Sequence, residues 1–398
     1  MLEWGIPFLI SPVGLGEAAM RWVLTCLYLA VFGLVTLADG TDGPRTKAAE
    51  SPGPRPGDLY REYSFHSGGD RDWRITDVEA VKKFERARNH LPNSVLPLRV
   101  DDLEHAVRAE AVLDRWGGHR GTINKRIRFN GNAWISIPEI TDLPNGIRGE
   151  QLMYQDNPVI AVPLDHLVEG DNTFEGNCDE SGGFGWGQWG LYALTLRVYY
   201  DPALKTNHEV DARITSPLSG RTIKDNPGIA ISASAKVGVS RIDVLARYNG
   251  YDEDGDGRHG GFHESRFQLV NGGDNEVRDH VGTLWSEPHR LVWQTRYVPD
   301  QPAGSVALVA RVQDSRGYWS VSPIVDGLTL DRANVSVRTY RATGVPEDFS
   351  VRVGETKSCM IRIPEDADLQ SAASAVLHLR TWHGWDGHHD PIKINDHA

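Results

Sequence analysis

The sequence predicts an all-β protein built of several β-sandwiches. Three observations point there. The 398 residues include 41 Gly, 22 Pro and 12 Trp, a turn-forming and aromatic composition. Segments of alternating polar and apolar residues recur between Gly- and Pro-rich breaks, as strands do. One short stretch, 79–89 (EAVKKFERARN), carries a helical pattern. A chain of this length accommodates two or three domains.

The N-terminus reads as an export signal over residues 1–38. Arg21 precedes the apolar run Trp22 to Leu37, and Ala38 offers a small residue for cleavage. Met20 lies directly before Arg21 and is an alternative start. Left uncleaved, the run would be a membrane anchor, since it falls slightly short of the ~20 residues that span a bilayer. Residues 39–57, rich in Gly, Pro, Ser and charge, read as a flexible linker. This places the protein outside the cell or on its surface. Past the signal the chain keeps Cys178 and Cys359, in different segments, so no disulfide between them is expected.

The first segment, 58–205, predicts strands at 95–100, 106–114, 125–129, 159–162 and 191–200. The last, LYALTLRVYY, alternates as the closing strand of a sandwich. Strand 125–129 ends in Asn130-Gly131, a tight-turn dipeptide. After strand 159–162 comes Leu167-Val168-Glu169-Gly170-Asp171-Asn172. This order, Asn-Gly, strand, then Leu-x-x-Gly-x-Asn, resembles the jelly-roll domains of the galactose-binding-like superfamily. The resemblance implies an ancillary domain that binds glycans or packs beside catalytic domains.

The second segment, 206–332, opens with ITSPLSGRTI and closes with VALVARVQDSRGYWSVSP. It resembles bacterial immunoglobulin-like domains, without the Cys-Trp-Cys signature of antibody domains. The third, 333–398, reads as an incomplete second jelly roll. AVL at 111–113, Trp116 and IRFN at 127–130 are matched in order by AVL at 375–377, Trp382 and IKIN at 392–395. Asn130 follows Ala111 by 19 residues and Asn395 follows Ala375 by 20. A half sandwich leaves strand edges open, which implies a truncated product or a segment that pairs with something else.

The clearest ligand signal is Asp252-Glu253-Asp254-Gly255-Asp256-Gly257-Arg258. Carboxylates at alternate positions converge on a hard cation while Gly makes the turn, as in the first half of an EF-hand loop. The second half departs from that pattern, with His263 at position 12 and Glu264 one residue late. The expected site is therefore a structural calcium loop between strands, using Asp252, Asp254, Asp256, the Arg258 carbonyl and Glu264. Its rival reading is a solvated acidic turn.

A second signal is the glycine-rich run holding Phe184, Trp186, Gln188 and Trp189, with Asp179 and Glu180 nearby. Aromatic faces stack on sugar rings, so these residues are candidates for glycan contact, as are Trp116, His119 and Arg120 in a second loop and Tyr154. The rival reading makes the tryptophans core. His378, His383, His388, His389 and His397 crowd the C-terminus as a weaker metal candidate, in a stretch that reads as a variable surface loop.

The charge of −12, from 42 basic and 54 acidic residues, argues against nucleic-acid binding and against an anionic membrane. No HExxH, G-x-S-x-G or phosphate-loop motif occurs, and acid pairs such as Asp101-Asp102 and Glu365-Asp366 are common in turns. The reading that follows is an exported, non-catalytic binder of a glycan or cell-surface polysaccharide with a structural calcium ion. Its alternatives are the targeting part of a larger glycan-degrading enzyme and a purely structural surface protein.

Overall fold

A computed structural model describes residues 24–25, 53–67, 73–90, 93–140, 154–181, 186–203, 209–267, 277–345, 354–379, 392–395 and 397. Nearly all regular structure in it is β, arranged as packed antiparallel sheets. Two β-sandwiches account for most of it.

In the first, one sheet runs Leu96–Val100, Gly170–Glu180, Thr122–Phe129, Ile135–Ser136. The other is built on Gln188–Tyr200, paired with Ala106–Trp116 on one side and Leu59–His66 on the other. Leu98, Ile127, Phe129, Phe174, Leu194, Leu196 and Val198 fill the space between them. Alternation explains the choice: Leu96, Leu98 and Val100 point in while Pro97 and Arg99 face water.

The predicted turn after Phe129 is present. Asn130 and Gly131 both take positive φ, 49° and 71°, and the Asn132 amide closes the turn onto the Phe129 carbonyl at 2.9 Å. That is the geometry of a primed hairpin turn, whose twist suits the flanking strands. The predicted helix is instead two short ones, Val78–Lys83 and Glu85–His90. Asp77 caps the first by accepting from the Ala80 amide at 2.6 Å. Phe84 turns extended and ends it, its ring packed on Trp186.

The second sandwich sets Asp211–Ser216, Gly228–Ser234 and Arg290–Val292 against a sheet of Val239–Arg247, Val306–Asp314, Tyr318–Val321 and Val325–Leu330. Ile214, Ile229, Ile242, Val244, Trp293, Leu308, Ala310 and Leu328 form its core.

The two sandwiches join edge to edge. Tyr318–Val321 pairs antiparallel with Leu59–His66, Trp319 opposite Tyr60, so one 12-stranded sheet runs through both. This changes the meaning of the LYALTLRVYY alternation. Its polar face is not solvated: Thr195, Arg197 and Tyr199 are as buried as the apolar face.

The third segment has less structure. Ala342–Thr343 pairs with Ser358–Ile361 over a small cluster of Val345, Cys359, Leu377 and Ile394. Leu24–Thr25, from the predicted export signal, is a short strand beside Ser358–Ile361 and Lys393–Ile394. Residues 375–377 form no strand, whereas 111–113 lie mid-strand between two partners, Val159–Val162 and Gln188–Tyr200. The repeat persists at one point: Asn395 holds φ 49°, the value of Asn130. Cys178 and Cys359 are buried in separate clusters. No helix among the described residues is long and apolar enough to cross a membrane.

Candidate functional site

The acidic loop belongs to the long excursion between Val239–Arg247 and Gly282–Leu284. It gathers Asp252, Asp254 and Asp256 so that one carboxylate oxygen of each lies within 4.8 Å of the others. The loop's own amides hold them there. Gly257 N–H donates to Asp252 at 3.2 Å, Asp256 N–H to Asp254 at 3.3 Å and Arg258 N–H to Asp256 at 2.7 Å. Gly255 and Gly257 take φ of 72° and 84°, which a side chain would resist.

Electrostatics mark the cluster as unbalanced. Partial burial, then the Asp256 and Asp252 charges, push the Asp254 carboxyl up to about 9. A hard cation with oxygen ligands would relieve that repulsion. The intervening acid, Glu253, faces away and meets His263 Nδ1 at 2.5 Å, with His263 stacked on Tyr248. Burial would lower the His263 pKa, but the hydrogen bond and charge of Glu253 raise it.

Glu264 is not part of this cluster, which corrects its assignment as a metal ligand. Both its oxygens are taken by Arg311 at 2.7 Å. Burial disfavours the Glu264 charge, yet Arg311 and Arg266 hold its pKa far below the usual range. The late acid of the loop is thus an ion-pair partner of Arg311.

The loop is docked on the first sandwich. Asn157 N–H donates to the Asp254 carbonyl at 2.7 Å, and a Cβ on Gly255 would come within 2.6 Å of the Gln155 carbonyl oxygen. The Asn157 side chain donates to the Leu113 and Arg266 carbonyls, both at 3.1 Å, and accepts from Arg266 N–H at 2.7 Å. Beside it runs a buried ionic network. Arg197 meets Glu62 at 2.9 Å and Glu110 at 3.1 Å, and Arg266 meets Glu62 at 3.0 Å. Tyr199 donates to Glu110 at 2.6 Å. In the sequence the one local hint of Asn157 is the Asn-Pro pair before strand Val159–Val162.

The two candidate sugar loops do meet. His119 N–H donates to the Gln188 carbonyl at 2.9 Å, and Thr122 bridges the same residue in both directions at 3.0 Å. The aromatic rings face inward, however. Trp189 is fully enclosed, its Nε1 donating to the Asn177 carbonyl at 3.2 Å. Trp116 is buried against Trp73 and His119, Gln188 is buried, and Tyr154 donates from within the core to Glu139 at 2.7 Å. A ring covered on both faces offers none to a sugar, so Trp116, Trp189 and Tyr154 are core residues. Trp186 and His119 are half-buried and Arg120 is exposed. Asp179 pairs with Arg126 at 2.9 Å. Phe184, His383, His388 and His389 lie outside the described residues. His378 stacks on Tyr251 at 4.2 Å, and His397 forms a backbone bridge with Ile394. Asp102 accepts from the Tyr318 hydroxyl, a packing role.

No family model and no curated protein matches this sequence. Among solved structures the chain is similar to the fibronectin(III)-like modules of Clostridium thermocellum CbhA, at 12% identity over 62% of this chain and 90% of that one. The TM-score is 0.20, and a likeness at that level carries no functional argument.

Proposed function

We propose that this chain is an exported, non-catalytic binding protein of β-sandwich modules, with calcium at Asp252, Asp254 and Asp256 stiffening the junction of the first two. The first module is read as galactose-binding-like and the second as immunoglobulin-like. The partner is a glycan or cell-surface polysaccharide. The observation that carries the calcium reading is the gathering of three carboxylates on a loop whose backbone is bonded to the neighbouring sandwich. Calcium there would supply positive charge and oxygen coordination, and so fix the loop on Asn157.

Calorimetric titration of the full chain with calcium chloride tests this. One calcium per chain is expected, with weaker heats for magnesium, and binding lost in Asp252→Asn/Asp254→Asn. Equal heats for the variant and the wild type would contradict it. A purely structural reading draws support from the burial of Trp116 and Trp189, which removes two residues from any sugar platform.

A further inference from the structure

Trp285 is the one exposed tryptophan among the described residues, with 63% of its surface in solvent. It follows the edge strand Gly282–Leu284 of the second sandwich. Isolated surface hydrophobes need no explanation. This one differs in being held from behind.

The Arg241 guanidinium lies 5.1 Å from the Trp285 ring centre and 5.4 Å from that of Trp319. Trp319 stacks nearly parallel on Tyr60, 9° apart, and Tyr60 packs on Tyr199 at 5.2 Å. Trp285 is thus the outer end of an aromatic column rooted in the junction of the two sandwiches. Arg241 is fixed in turn: its Nε donates to Asp243 at 2.9 Å, and Asp243 also accepts from Thr283 at 2.7 Å. The cation–π contact orients the indole before any ligand arrives, which lowers the ordering cost of binding.

The surrounding charge selects the ligand. Asp243 neutralises Arg241, so the support behind the ring carries no net charge, and the chain's −12 disfavours a polyanion. An aromatic face in that setting suits the apolar CH face of an uncharged sugar. Ser286 and Glu287, the next two residues in the chain, are both exposed. We propose that Trp285 is the stacking platform of a carbohydrate subsite that takes a pyranose ring of a neutral polysaccharide. The proposal rests on the glycan-binding part of the reading above and moves the contact away from the loops that carry Trp116 and Trp189.

Native affinity electrophoresis of the full chain, in gels containing galactomannan, xyloglucan or β-1,3-glucan, tests it. Wild type should be retarded by at least one of these. Trp285→Ala should weaken that binding about tenfold or more, as truncating a central aromatic contact does. Trp285→Phe, which keeps a ring over Arg241, should retain part of it, and both variants should melt with wild type because the side chain lies in solvent. Full retardation of Trp285→Ala would overturn the subsite while leaving glycan binding intact. Loss of retardation on Trp186→Ala with Trp285→Ala unaffected would return the contact to the Trp186 loop. A wild type that no gel retards would overturn both the subsite and the glycan-binding reading.

Discussion

The backbone amide of Asn157 donates to the carbonyl of Asp254 at 2.7 Å, joining a strand entry of the first sandwich to the acidic loop of the second. The same asparagine bonds through its side chain to Leu113 in its own sandwich and to Arg266 across the junction. The acidic loop is therefore a fastening between modules as well as a candidate metal site.

Replacing Asn157 with Ala removes those side-chain bonds and leaves the buried Arg266 N–H without its acceptor. Losing a buried partner of this kind costs about 1–3 kcal/mol. Urea unfolding followed by tryptophan fluorescence should show that loss, together with a broader transition as the two sandwiches uncouple. An unchanged, equally steep transition would place the fastening elsewhere.

The ionic network sets a second expectation. Arg197 is buried between Glu62 and Glu110, so Arg197→Ala takes a cation from two buried carboxylates and leaves Glu62 only Arg266 and Glu110 only the half-buried Arg108. Removing one member of a buried pair costs about 3–5 kcal/mol, whereas replacing the whole group with apolar residues of similar volume is often neutral. Arg197→Met should therefore be destabilising alone and less so beside Glu110→Leu, which removes the carboxylate it unpairs while Glu62 keeps Arg266. Equal destabilisation of the single and double variants in chemical denaturation would show that the charges do not act as a unit.

Acid should act through Glu62. Burial works against its charge, but Arg266 and Arg197 hold its pKa down at about 2, below the ordinary glutamate value. A carboxyl with a depressed folded-state pKa contributes stability that is complete above its unfolded pKa and lost as pH falls through the folded one. Stability measured by denaturant melts should fall between about pH 4.5 and pH 2. In Glu62→Gln the profile over that window should be flatter and lie lower at neutral pH. A profile parallel to the wild type would remove Glu62 from the account.

The hairpin and the sheet pattern were legible because each rests on local chemistry. Asn130-Gly131 adopts the left-handed turn its residue types favour, and strand Val159–Val162 falls where alternation placed it. The two quoted motifs also meet, since Asn130 Nδ2 donates to Asn172 Oδ1 at 2.8 Å. What the sequence did not reveal is what lies over each polar face. LYALTLRVYY alternates whether its Thr195, Arg197 and Tyr199 face water or a second module, and what decides is the distant loop bearing Arg266, which meets Glu62 beside Arg197.

The candidate site divides along the same line. Asp252, Asp254 and Asp256 are four residues apart from first to last, so their convergence is local and readable. The fate of Glu264 depends on Arg311, 47 residues on, and the burial of Trp189 on packing between sheets. Neither leaves a mark in the adjoining residues. Phe84 shows the reverse case, a helical pattern broken where one aromatic side chain packs on Trp186.

The most direct measurement is thermal unfolding of the full chain in calcium and in chelator, for wild type and for Asp252→Asn/Asp254→Asn. Ligand binding to the folded state alone stabilises by about 4 kcal/mol when calcium stands at about a thousand times its Kd. The wild type should melt several degrees higher in calcium, as one transition covering both sandwiches, and the variant should melt at one temperature in either buffer. Superimposable wild-type curves with and without calcium would contradict a calcium-fastened junction.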